Sequence, residues 1–220
     1  MQWKPKTNGI FFSKYINNLS KKNLEKEDLE NLKNDTADVI SKCINPSQTD
    51  SSNRLTSTNL VLGYIQSGKT TSMEAVSCMA RDNGFKLIII LSGHVSNLAD
   101  QTKGRTYKSF DNMYGWKKIE ILRGTKINYT DTDNQLKNIL SSSKDEFLDE
   151  DEKPCLLMVI MKQWQRLDKM ISIFTHADAN GIDLSKVPTL IIDDEADHYS
   201  LDTKSNSKSN SKDKNSSEYY

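Results

Sequence analysis

Cysteine, long apolar runs and a surplus of charge of either sign are what this 220-residue chain lacks. Its three cysteines, Cys43, Cys78 and Cys155, stand far apart with no C-x-x-C pair. That excludes a disulfide framework and a cysteine-rich zinc site, and it suits a reducing compartment. No apolar run reaches the ~18 residues of a membrane helix, and the N-terminal MQWKPKTNG has no signal-peptide core. The expectation is a cytoplasmic protein with no membrane partner. Thirty Lys+Arg offset thirty Asp+Glu, so an overall polybasic nucleic-acid binder is excluded while a local basic groove is not. Apolar residues make up 35% of the chain, below the ~45–50% of ordinary globular proteins, so part of it is expected outside a packed core.

The polarity is unevenly spread. Residues 205–217 read SNSKSNSKDKNSS, with no apolar side chain to offset ordering entropy. NPSQTDSSN at 45–53 and KDEFLDEDEK at 144–153 read as a linker and a solvated acidic loop. Between them, short apolar runs recur: LVLG (60–63), KLIIILS (86–92), KIEIL (118–122), CLLMVIM (155–161) and TLIID (189–193). Continuous Ile/Leu/Val runs are the pattern of strands buried on both faces of a parallel sheet. Helical segments at Thr70–Asn83, Ser96–Phe110, Asp131–Ser142 and Gln163–Ala179 fill the crossovers, and Gly84 is placed to end the first of them. The fold expected is α/β, a doubly wound parallel sheet over 54–204. Residues 1–53 form a helical N-terminal appendage and linker, and 205–220 an unstructured tail.

Gly63-Tyr64-Ile65-Gln66-Ser67-Gly68-Lys69-Thr70 matches G-x-x-x-x-G-K-[ST] at every fixed position, with an apolar run leading in and a helix leading out. Gly63 and Gly68 let the backbone curl so that successive N–H groups face phosphate oxygens. The helix beginning near Lys69 adds its N-terminal dipole. Lys69 is expected on the β/γ-phosphates and Thr70 on Mg²⁺, with Gln66, Ser67 and Thr71 completing an ATP-binding loop.

The second signal is Leu190-Ile191-Ile192-Asp193-Asp194-Glu195-Ala196-Asp197. A buried strand that ends in acids is costly unless a cation waits there. A nucleotide-bound Mg²⁺ meets that need, because ligands of open α/β sheets bind at the carboxyl ends of the strands. One Asp would act on the metal while a neighbouring Glu orients or deprotonates water.

Asp194-Glu195-Ala196-Asp197 spells the DEAD box, and with GYIQSGKT it resembles the first RecA-like domain of superfamily-two helicases. GYIQSGKTTSM, IIILSGHVSNLADQTKGR, LLMVIMKQWQRLDKM and TLIIDDEADHYSLDT follow in order, and together they look like the Z-one domain family. That family is described as endonucleases with a helicase-like ATPase core, found in bacterial defence-type gene neighbourhoods. The resemblance covers about 60–204 and implies a P-loop NTPase that takes ATP and Mg²⁺. It makes Lys69 and Glu195 catalytic and Thr70 and Asp194 the metal contacts, with Asp193 as the alternative register. It implies nucleic-acid contacts at Gly93, Asn97, Gln101 and Lys162, with DNA the favoured partner.

The chain departs from the family in having no second RecA-like unit after Asp197, no Ser/Thr-Ala-Thr turn and no nuclease constellation. The expectation is therefore the first half of a larger ATPase, completed by a C-terminal half or by partner proteins of a defence system. The alternative is a nucleotide-binding switch or protein-interaction module without nucleic-acid-stimulated hydrolysis. His94 and His198 lack metal-ligand spacing, and Trp116 and Trp164 read as packing residues. Cys78 and Cys155 read as small core hydrophobes.

Overall fold

The computed structural model describes residues 3–22, 24–48, 56–62, 68–93, 96–111, 113, 116–119, 126–142 and 153–196, without the side chains of 96–100 and 140–142. The chain is α/β. Four strands, β1 (Leu87–Ser92), β2 (Trp116–Lys118), β3 (Cys155–Met161) and β4 (Thr189–Asp193), form an all-parallel sheet in the order β2-β3-β1-β4. Six helices accompany them: α1 (Ile10–Ser20), α2 (Lys26–Lys42), α3 (Lys69–Asp82), α4 (Ser96–Phe110), α5 (Tyr129–Ser142) and α6 (Trp164–Ala179).

The apolar runs at 86–92 and 155–161 are buried as their composition suggests. The run at 189–193, expected as a buried strand, is not: at the edge of the described sheet, β4 alternates exposed and half-buried residues, with Ile191 57% exposed. Every residue of β3 is buried, and β1 is buried at all but Leu91. On one face Ile88, Ile90, Leu157 and Val159 share a core with residues of α1, α2, α3 and α4; on the other, Leu87, Ile89, Leu156 and Met158 share one with α5 and α6. The crossover that steps towards β2 carries α4 on the first face, while those that step back carry α5 and α6 on the second. One crossover hand requires that division.

Two further expectations are corrected. Leu60, Val61 and Leu62 pair with no strand and are 78%, 64% and 86% exposed. A continuous apolar run says nothing about whether a sheet edge is available to it, so periodicity cannot separate a buried strand from an unpaired segment. The sheet accordingly has four described strands, not five; of the run at 118–122, Lys118 ends β2, Ile119 is buried, and 120–122 lie outside the described residues. Trp164, expected in the core, is 66% exposed at the start of α6, whereas Trp116 is buried and stacks on Phe110 with ring centroids 4.6 Å apart. The tail at 205–220, the acidic run at 145–152, His94 and His198 also lie outside the described residues.

The N-terminal helices belong to the same core as the sheet. α3 is buried without interruption from Glu74 to Arg81, since it lies between the sheet and α1 and α2. Its small residues Ala75, Ser77, Cys78 and Ala80 allow close approach on both sides, and Cys78 and Cys155 are core residues as expected. α1 lacks a capping side chain of its own; the Asp82 carboxylate at the end of α3 accepts from Phe11 N (3.1 Å) and Phe12 N (2.8 Å). Gly9 makes that possible, because a Cβ there would sit 2.1–2.3 Å from Asp82. The Arg81 guanidinium lies 3.4 Å over the Phe11 ring and donates to the Lys153 carbonyl (3.0 Å), closing the seam between α1 and the sheet. Asp82→Ala should therefore cost about 1 kcal/mol in urea unfolding, the value of a lost N-terminal cap, and should loosen amide exchange first at Phe11 and Phe12.

Candidate functional site

The carboxyl ends of β1, β3 and β4 are stitched together. Lys162 N donates to Ser92 O (2.9 Å), Asp194 N donates to Leu91 O (2.9 Å), and the Ser92 hydroxyl reaches Ile160 O (3.3 Å). The turn after β4 then brings the acids over this edge. Glu195 adopts φ 57°, the left-handed region, alone among described non-glycine residues. Such a conformation costs on the order of 1 kcal/mol and needs support from its surroundings. Lys162 supplies it: the ammonium lies 2.7 Å from Asp193 Oδ1 and donates to Glu195 O (3.0 Å).

Lys162 was expected as a nucleic-acid contact. Its side chain is instead almost fully buried and engaged by the acidic turn, so it holds the site from within. The same pair gives the two acids different surroundings. Asp193 is neutralised by Lys162, whereas Asp194 is half-buried and lies where Lys69 acts on it. Burial pushes the Asp194 carboxyl above the ordinary carboxylate range, repulsion from Glu195 adds to that, and Lys69 and Lys162 offset part of it.

The remaining expected residues fall around this edge as far as they are described. Gly68 caps α3 with φ 76°, has open space where a Cβ would stand, and is followed by exposed Lys69 and half-buried Thr70 and Thr71. Gly63, Gln66 and Ser67 lie outside the described residues. Gly93 is buried directly after β1, Asn97 is in the first turn of α4, and Gln101 is exposed further along that helix. Among the described residues no group of three or more His, Cys, Asp or Glu side chains could hold a metal by itself.

Residues that sequence reasoning missed include a second polar cluster on the opposite face. His176 Nδ1 stands 3.2 Å from the buried Asp133 carboxylate, and its ring stacks on Tyr129 at 4.5 Å. It sits between α5 and α6, away from the acidic turn, and nothing in the local sequence marks it.

The edge thus sets a helix N-terminus and a lysine, which favour anions, opposite a half-buried acid pair, which favours a cation. No protein-family model, curated protein or solved structure matches this chain.

Lys162→Ala should destabilise the fold by up to about 3 kcal/mol, the lower end of the cost of breaking a buried ion pair, because Asp193 is partly solvated. A carboxyl whose folded pKa lies above its unfolded value stabilises the fold when protonated and loses that contribution as pH rises through the folded value. Asp194→Asn should consequently raise the urea midpoint at neutral pH. The gain should vanish below about pH 4, where the unfolded carboxyl is protonated as well.

Proposed function

We propose that this chain is the ATP-binding, helicase-like part of a larger nucleic-acid-acting ATPase, a P-loop NTPase of RecA-like fold. The observation that carries this reading is that Lys69, at the N-terminus of α3, lies within electrostatic range of Asp194 in the acidic turn at the end of β4. The parallel sheet, with ligand-competent loops at its carboxyl edge, supports it. So does the G-x-x-x-x-G-K-T spelling.

In this reading Lys69 and the amides at the start of α3 hold the phosphates, with Gly63, Gln66, Ser67, Gly68 and Thr71 shaping the loop. Thr70 and Asp194 would hold Mg²⁺, which supplies charge neutralisation on the phosphates. The residues fit that group: a half-buried carboxylate disfavoured by burial and by Glu195 gains most from a divalent cation. Glu195 orients water, its position set by the left-handed turn that Lys162 supports. Asp193 is assigned to the ion pair and not to the metal, because Lys162 already occupies its carboxylate. Gly93, Asn97 and Gln101 remain the proposed nucleic-acid side, with DNA the favoured partner, and Lys162 leaves that set. Likeness to the Z-one domain family, and partnership with a C-terminal half or with defence-system proteins, belong to the same proposal.

Equilibrium titration of the chain with ATP, with and without Mg²⁺, tests it. The wild type should bind in a Mg²⁺-dependent manner, and Lys69→Ala should weaken binding at least tenfold, about 1.4 kcal/mol of lost phosphate contact. Absence of Mg²⁺-dependent binding by the wild type would overturn the proposal. Asp194→Asn should abolish the Mg²⁺ dependence, while Asp193→Asn should chiefly lower stability; the reverse pattern would exchange the two roles. Nucleotide binding that never responds to added nucleic acid, even in a longer protein, would favour the nucleotide-switch alternative.

A further inference from the structure

Glu74 lies on α3 four residues beyond Thr70, buried, with no ion-pair partner among the described residues. Two hydroxyls from different helices converge on one of its oxygens. Tyr15 of α1 donates to Oε2 at 2.9 Å, and Ser109 of α4 donates to the same atom at 2.9 Å. The Tyr15 oxygen also stands 3.1 Å from the carbonyl of Thr71, in the first turn of α3. Burial pushes the Glu74 carboxyl up, and the hydroxyls and Lys22 hold it back in part.

A carboxylate in this place is a costly way to fill volume, since an apolar side chain of similar size would avoid the desolvation. What it adds is direction. Hydroxyls fixed on α1 and α4 set the rotation of α3 about its axis one turn below Lys69 and Thr70. α4 itself begins just after Gly93, so the node spans the nucleotide helix and the helix proposed to face nucleic acid.

We infer that Glu74 is a positioning residue, which through Tyr15 and Ser109 aims the first turn of α3 at its phosphate ligand. The inference rests on the nucleotide-binding reading above. It predicts that stability and affinity move apart, which a packing role would not produce.

The test compares Glu74→Met and Glu74→Gln in the full chain by urea unfolding and Mg²⁺-ATP titration. Glu74→Met should keep or raise the urea midpoint yet weaken Mg²⁺-ATP binding by roughly three- to tenfold, the worth of one or two oriented hydrogen bonds. Glu74→Gln, whose carbonyl oxygen still accepts both hydroxyls, should bind within about twofold of wild type. Wild-type affinity in Glu74→Met, parallel loss of stability and affinity, or equal loss in Glu74→Gln would each overturn the inference. If Glu74→Met does not fold, Tyr15→Phe takes its place with the same expected loss. If the wild type binds no nucleotide, the nucleotide reading has failed, and amide exchange at Thr71–Met73 decides the node by itself. Faster exchange in Glu74→Met supports it, and unchanged exchange refutes it.

Discussion

Between Glu74 and Arg81, helix α3 has no solvent face, and the rest of the molecule is arranged around that constraint. A helix enclosed on both sides needs partners within the protein for the charged groups it carries. Asp82 finds them in the backbone of α1, Glu74 in the hydroxyls of α1 and α4, and Arg81 in the Phe11 ring and the Lys153 carbonyl. The N-terminal helices are thus the second wall of the cleft that grips α3. Enclosure also settles where the helix starts, because a rigid rod pinned along its length presents its N-terminus at one place on the carboxyl edge of the sheet.

The acids at that edge are held by a different means. β4 is half-covered, with Leu190 and Ile192 against the core and Ile191 57% exposed, so packing alone does little to fix the turn that follows. An ion pair and one hydrogen bond from Lys162 do so instead, tying the end of β3 to the end of β4 across β1. Asp193 is thus engaged by Lys162, while Asp194 lies half-buried beside Glu195 without that ion pair. Two adjacent carboxylates stand in different electrostatic surroundings.

Legibility followed the range of the interactions. α4 was expected over 96–110 and is found there, and the runs at 86–92, 155–161 and 189–193 became strands within a residue of expectation. These elements announce themselves through neighbours in the chain: Ile/Leu/Val runs, and Gly84 at φ 96° ending the turn after α3. Leu60–Leu62 shows the limit, since apolar identity does not create a sheet edge. Trp164 shows it again, for an aromatic at a helix start reads as core until the neighbouring elements are placed. Nothing near Lys162 in the chain marks it as buried, because Asp193, its partner, lies 31 residues further on.

Sequence by itself determined the class of fold and the positions of most elements. It also singled out a glycine-lysine loop and an acidic strand end as candidate positions for chemistry, because each depends on residue type and local spacing. Only the tertiary structure decided which acid is neutralised, which lysine is spent inside the protein, and that Tyr15, Glu74 and Ser109 meet. Those outcomes depend on distances between residues tens of positions apart. Burial and charge there are properties of the packed chain, not of any stretch of it.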